Sequence, residues 1–277
     1  MQDRAAACEY IEAEAWAQLQ LALPPEQQAT LATQVIRDGR AVSLLSGADL
    51  AWLNRAMAFG FEHALTDERL RAINAPYIRA GIPRWIFEWS PQANPRAGNE
   101  LLERHGAQAR TPTVKFWRPL SGDLPAIPIN DVQVVEIGPA DAATFQSTVA
   151  EALGVPKIAA RVVRTTVGHP GWHFYLAVAG GSPIGGASMF VQGDGVWFGI
   201  GATLPAARQR GAQTALLARR LHDAARLGCR WATVGTTPDL PERPSPSYRN
   251  MLRAGMQVLY HRSKYVFELN SLPAVAL

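Results

Sequence analysis

Two glycine turns, Gly180-Gly181-Ser182 and Gly193-Asp194-Gly195, constrain this chain more than any other feature. Apolar runs surround them: His173–Ala179 before the first, Ser182–Val191 between the two, and Val196–Leu204 after the second. Tight turns of this kind join neighbouring strands antiparallel, so three strands are committed to a meander. The period then changes. From Gly211 to Leu227 the apolar positions Leu217, Leu221 and Ala224 recur at helical spacing, and Gly228 suits the stop. Arg230–Thr236 reads as a strand, Ser247–Ala254 as a short helix ended by Gly255, and Val258–Leu269 as a last strand. Upstream, Val132–Ile137 reads as a strand and Ala140–Leu153 as a helix. The order β-α-β-β-β-α-β-α-β predicts a mixed α+β and α/β fold, a mostly antiparallel sheet flanked by helices.

The first half carries a similar grammar. Residues 5–38 read as helix in two pieces split by Pro24-Pro25, with strands over 40–45 and 50–61. A helix follows from the N-cap Thr66 to Ala80, stopped by Gly81. Next come the buried-strand run Arg84–Trp89, a helix over 95–105 and a strand over 113–117. Gly81-x-x-Arg84-Trp85 matches Gly228-x-Arg230-Trp231, and Lys115 follows Gly106 at the same distance as Lys264 follows Gly255. Two matches in the same order argue for tandem copies of one fold. The Pro-rich stretch 120–128 is the linker candidate, giving domains over 1–125 and 130–277.

Composition narrows the function. Hydrophobic residues are 48% and charged residues 18%, which suits a globular core, and a net charge of +4 is mild. No basic run interleaved with aromatics points to nucleic acid. No apolar stretch is long enough to cross a membrane, and the N-terminus lacks a secretory pattern. Cys8 and Cys229 form no pair motif. The expectation is a cytoplasmic protein without nucleic-acid or membrane partners.

The chemistry gathers at the strand-to-helix junction Arg208-Gln209-Arg210-Gly211-Ala212-Gln213-Thr214. The first turn of a helix has backbone N–H groups without intrahelical acceptors at the positive end of its dipole, and a phosphate satisfies them. Gly211 removes a Cβ from the approach and Ala212 keeps it open. Arg208 and Arg210 add charge, and Thr214 adds a hydroxyl. A surface loop with two solvated arginines has the same composition. Its place between a three-strand meander and an amphipathic helix favours phosphate.

This stretch resembles motif A of the GNAT N-acetyltransferases, with Arg208 at the first position, Gly211 at the central glycine and Gln213 where Gly or Ala is usual. The resemblance covers about residues 130–270 and implies a GNAT fold, with acetyl-CoA as co-substrate. It further implies that Ala202, Thr203 and Leu204 lie beside the pantetheine arm, that Arg208–Thr214 cradle the pyrophosphate and that Ser247 lies close to the cofactor. Pro244–Met256 resembles motif B, whose usual general-acid Tyr falls here on Met251, which cannot protonate a thiolate. Tyr248, one turn earlier, is the nearest candidate acid, though a packing role suits it better. His173 is a candidate base.

His169 and His173 straddle Pro170-Gly171 and no other ligand completes a set, so no metal is expected. Gly199-x-Gly201 lacks the third glycine of a dinucleotide fingerprint, and Gly186-x-Ser188 lacks the second glycine of a nucleophile elbow. At the comparable junction the first half offers Phe61–Leu70, with Glu62, Asp67 and Glu68 where phosphate would sit, so that copy is expected to be degenerate. The chain thus reads as an N-acetyltransferase acting on an amine of a small molecule or peptide. A non-catalytic acyl-CoA-binding sensor or interaction module is the alternative, and a monomer and a homodimer both remain open.

Overall fold

A computed structural model of the chain describes residues 2–48, 50–155 and 157–273; Met1 and residues 274–277, the outer ends of the two expected domains, lie outside the described residues. The elements run α1 (Gln2–Leu21), α2 (Pro25–Thr30), β1 (Gln34–Asp38), β2 (Ala41–Leu45), β3 (Arg55–Met57), α3 (Asp67–Arg79), β4 (Arg84–Trp89), α4 (Gly98–Arg104) and β5 (Gln108–Pro119). They continue with β6 (Gln133–Ile137), α5 (Ala142–Leu153), α6 (Lys157–Arg164), β7 (Trp172–Ala179), β8 (Ser182–Gln192) and β9 (Gly195–Thr203). The last are α7 (Ala212–Arg226), β10 (Trp231–Thr236), α8 (Pro246–Arg253) and β11 (Gln257–Glu268). Both halves therefore contain the order β-β-β-α-β-α-β. The helices α3, α4, α7 and α8 are each followed by a left-handed glycine, at 81, 106, 228 and 255.

Two compact units result. One has the residues up to Lys115 together with those from Leu259 on; the other is Phe116–Val258. In the first unit the strand order is β1-β2-β3-β4-β11-β5. The last strand of the chain lies antiparallel to β4, with Ser263 opposite Trp89 and Glu268 opposite Arg84. Stacked aromatics fill the core: Tyr77 on Trp85 at 5.0 Å and Trp85 on Phe267 at 5.3 Å. The same unit holds a buried charge cluster. Arg262 reaches Glu9, Glu12 and Glu88 at 2.8, 2.9 and 3.0 Å, and Lys115 reaches Glu12 at 2.5 Å. Burial alone would raise the Glu12 carboxyl, but Arg262 and Lys115 beside it hold it well below the usual carboxylate range.

Two expectations for this unit need correction. The second helical piece ends at Thr30, because Ala32 turns left-handed (φ 46), and 34–38 is a strand paired with β2. Segment 50–61 is mostly not a strand. The Asn54 side chain accepts the Ser46 N–H at 2.6 Å and donates to the Ala48 carbonyl, coiling residues 51–53 into a 3₁₀ turn. Left-handed Ala58 and Gly60 then end the strand after Met57.

The second unit follows its sequence closely. Strands β6 to β9 form an antiparallel meander, and β10 joins β9 in parallel. Helix α7 buries Leu216, Leu217, Leu221 and Ala224, and α5 sends Phe145 edge-on to Phe174 at 5.0 Å. Each fully buried Leu or Phe contributes about 1.5–3 kcal/mol relative to exposure. No helix among the described residues is long and apolar enough to cross a membrane.

Candidate functional site

Strand β9 parts from its parallel neighbour halfway along. Its pairing with β10 runs from Gly195 opposite Trp231 to Phe198 opposite Val234 and stops there, although β9 continues to Thr203. On its other side it stays with β8 as far as Thr203 opposite Gly185, through an irregularity between Ala187 and Met189. Ser188 marks that bulge, its hydroxyl accepting the Ile200 N–H at 3.2 Å. Further along, the Ala202 carbonyl faces Gly185 and the Leu204 N–H donates to the Ile184 carbonyl at 2.9 Å. Backbone groups alternate sides along a strand, so Gly201 and Thr203 turn theirs to the open side. An unpaired strand edge is a template for any extended chain that carries amides.

The loop after β9 opens into an uncapped helix N-terminus. Gly211 is the N-cap of α7 with φ 83, and no side chain caps the helix. The first helical bond runs from the Ala215 N–H to the Gly211 carbonyl. The amides of Ala212, Gln213 and Thr214 therefore point outward without helical acceptors. A left-handed residue followed by right-handed helix makes a concave nest of N–H groups. Gln209 is also left-handed, at φ 66, a conformation costing an L-residue about 1–2 kcal/mol. From 80 residues upstream, the Asn130 amide donates to the Arg210 carbonyl at 3.2 Å and braces the loop.

A cavity of about 670 Å³ opens between this loop, β9 and α8. Of the residues expected at the site, Ala202, Thr203, Arg208, Gln209, Gly211, Ala212, Gln213, Thr214 and Ser247 all line it. Leu204 and Arg210 do not. The Leu204 N–H is committed to β8, and the Arg210 side chain is ion-paired with Asp131. Gln213, where a small residue is usual, turns aside: its amide donates to the Thr203 hydroxyl at 2.9 Å and ties helix to strand.

The lining also includes residues that were not anticipated, three of them polar or backbone groups of the site. Gly201 exposes the open edge of β9, while Asn250 and Arg253 share a face of α8 with Ser247. The spacing 247–250–253 is the signal that was available, since residues three apart share a helix face. Asn250 accepts from Arg253 at 3.1 Å and orients it. Asp239 sets where α8 begins, accepting the Ser245 N–H at 2.6 Å while ion-paired with Arg249, whose hydrogen bond lowers its pKa. The lining holds two cationic side chains, Arg208 and Arg253, and no carboxylate.

The two candidate proton-transfer residues stand apart from this lining. Tyr248 packs its ring edge-on against Phe116 at 5.1 Å, and its N–H donates to the Ser245 hydroxyl. His173 lies on β7 with Nδ1 2.7 Å from Glu136 of the adjacent strand. Met251 is buried. Among the described residues no group of acidic, His or Cys side chains forms a metal cluster.

The first unit handles its equivalent junction in the opposite way. Thr66 caps α3, its hydroxyl accepting the Arg69 N–H, and Asp67 and Glu68 occupy the first turn. At the end of β4 the Trp89 indole packs onto Gly60 and Gly98, where an added Cβ would fall 2.6 or 2.2 Å from it. The Thr66 capping oxygen occupies what is open at the start of α7.

No protein-family model matches the sequence, and no curated protein matches it. Solved structures do. A GCN5-related N-acetyltransferase from Kribbella flavida is similar over 92% of this chain and 98% of its own, at 17% identity and a TM-score of 0.63. A tandem GNAT protein from the clavulanic acid biosynthesis pathway is similar over 96% and 95%, at 16% identity and a TM-score of 0.60. A GCN5-related N-acetyltransferase from Sphaerobacter thermophilus matches 69% of this chain at 20% identity and a TM-score of 0.57, and the chain spans 60% of that protein's length. The fold is the GNAT fold in tandem arrangement.

Proposed function

We propose that this chain is an acetyl-CoA-dependent N-acetyltransferase with one coenzyme site, in the second unit. The observation that carries the reading is the convergence of three features on one carboxylate-free cavity: the uncapped N-terminus of α7, the nest at Gly211 and the unpaired edge of β9. The residues fit the co-substrate. Amides of Ala212, Gln213 and Thr214 would hold the pyrophosphate with Arg208, and the β9 edge at Gly201 and Thr203 would bond the amides of the pantetheine arm. Arg253 would meet a further phosphate from the opposite wall. The capped and acidic first turn of α3 supports a single site per chain.

In the transfer the amine nitrogen of the acceptor attacks the thioester carbonyl carbon. The C–N bond forms, the C–S bond breaks with its electron pair leaving on sulfur, and the amine releases one proton. The chain contributes alignment, since a bound thioester facing an oriented amine gains a large effective concentration. Arginine is the only ionisable residue type lining the cavity among the described residues, so the proton leaves to solvent or to a group outside that lining. The acceptor class is an amine of a small molecule or peptide, and the reading places the chain in the cytoplasm.

Calorimetry of the intact chain with acetyl-CoA tests the reading, with one equivalent bound as the expected result and no binding as its refutation. The lack of a lining base favours one second reading, a sensor that binds acyl-CoA without turnover. Thiol release followed across a panel of amines separates the two. Release with any amine supports the enzyme, whereas binding with no release on the whole panel supports the sensor.

A further inference from the structure

One buried cation in the second unit has no counter-charge among the described residues. Arg220, in the third turn of α7, is 2% exposed. Its neighbours Arg219 and Arg226 both pair with Asp223, but among the described residues Arg220 has no carboxylate partner. Its Nε donates to the Leu216 carbonyl at 3.2 Å and its Nη1 to the Ser188 carbonyl at 3.0 Å. The guanidinium lies over the Phe198 ring at 4.6 Å. Burial lowers its pKa to about 10, so it remains charged at neutral pH. A buried charge without an opposite partner opposes folding, and an apolar side chain of similar length would fill the same space at less cost. The guanidinium therefore calls for a role beyond packing.

Its position supplies one. Ser188 lies opposite the bulge that Gly199 and Ile200 make in β9, holding Arg220 by its carbonyl and Ile200 by its hydroxyl, at the point where β9 leaves β10. The remaining Arg220 nitrogen, Nη2, lies 3.5 Å from where a Cβ on Gly201 would stand. Gly201 lines the cavity and has no side chain, and the Gln213 side-chain carbonyl oxygen, 3.4 Å from the same point, shares this space with the guanidinium beside the open edge. On the proposed function, on which this inference rests, a coenzyme whose pyrophosphate sits at Gly211 runs its arm along Thr203 and Gly201. Its thioester then falls beside the bulge.

The geometry assigns Arg220 as a positioning residue of acyl transfer: it pins the β8–β9 bulge and sets a fixed positive charge near Gly201 that polarises the thioester carbonyl. As an amine attacks, that carbonyl oxygen gains negative charge, and a preorganised cation in a water-poor setting stabilises it without reorganisation. Arg220 acts through space and through the bulge backbone rather than by touching the substrate.

Isotope-edited infrared spectra of acetyl-CoA labelled with ¹³C at the acyl carbonyl test this on the full chain, without needing the acceptor. Bound to the wild type, the carbonyl band is expected at lower frequency than in buffer. Arg220→Met is expected to bind within about threefold of wild type and to lose that shift. Arg220→Lys, which keeps the charge but cannot hold two carbonyls in a fork, is expected to retain most of it. A full shift in bound Arg220→Met overturns the assignment. So does loss of the shift in bound Arg220→Lys, which also decides the matter if the Met variant fails to fold. Absence of acetyl-CoA binding by the wild type instead refutes the proposed function, and this inference with it.

Discussion

Alanine at position 211 probes the proposed anion cradle at its tightest point. Gly211 has φ 83, and a Cβ there would lie 2.7 Å from the Asn130 amide nitrogen. Holding alanine left-handed costs about 1–2 kcal/mol. Displacing Asn130 removes its bond to the Arg210 carbonyl, about 1 kcal/mol more. The loop therefore faces a penalty of about 2–3 kcal/mol, relieved only by rotating the peptides that form the nest. A hydrogen bond to a charged acceptor is worth about 1.5–3 kcal/mol, so misdirecting one amide weakens acetyl-CoA binding about 10- to 100-fold. Gly180→Ala is the matched control. Gly180 is also left-handed, at φ 57, but a Cβ there meets nothing within 4 Å and it does not line the cavity. Calorimetric titration paired with thermal melts reads both effects. Gly180→Ala is expected to lower the melting midpoint and leave Kd unchanged; Gly211→Ala lowers both midpoint and affinity. An affinity for Gly211→Ala within threefold of wild type would refute the cradle.

Other outcomes follow from the same geometry. Arg253→Ala is expected to weaken acetyl-CoA about tenfold and 3′-dephospho-acetyl-CoA by much less, the loss of one charge-assisted contact; equal losses in parallel titrations would reject a phosphate role for Arg253. Tyr248→Phe keeps the ring against Phe116 and is expected to change thiol release by less than about twofold on any amine that supports it; a loss of about 100-fold, the scale of a general acid, would return Tyr248 to the chemistry. Arg262→Met leaves Glu9, Glu12 and Glu88 short of a cation and is expected to destabilise the first unit by about 3–5 kcal/mol in denaturant melts. Glu12 is held below its unfolded value, so in the wild type its contribution is present above about pH 4 and fades as the pH falls further. Arg262→Met is expected to lose less than wild type on that acidification, and an unchanged acid profile would show that the cluster does not stabilise the fold.

Much of the second unit was legible because its signals are local. Two glycine turns fix the meander, the 3.6-residue period fixes α7, and the loop from Arg208 to Thr214 lies next to the helix it opens. Expectations failed where side chains reach across sequence. Asn54 coils a segment whose composition reads as strand, and left-handed Ala32 ends a helix that the pattern prolongs. Arg210 looks the equal of Arg208 in sequence, and only the fold brings Asp131 to its side chain and Asn130 to its carbonyl.

The sequence by itself thus determined the mixed fold, the tandem grammar and the place of the glycine that opens α7, since each depends on turn geometry and periodicity within a few residues. The tertiary structure alone decided which groups are free to act. It left Arg208 and Arg253 facing the cavity, turned Gln213 onto Thr203, carried β11 into the first unit beside β4, and set Arg220 near Gly201 without a counter-charge among the described residues. Ion pairing, burial and strand divergence depend on residues tens to hundreds of positions apart, and short-range spacing has no access to them.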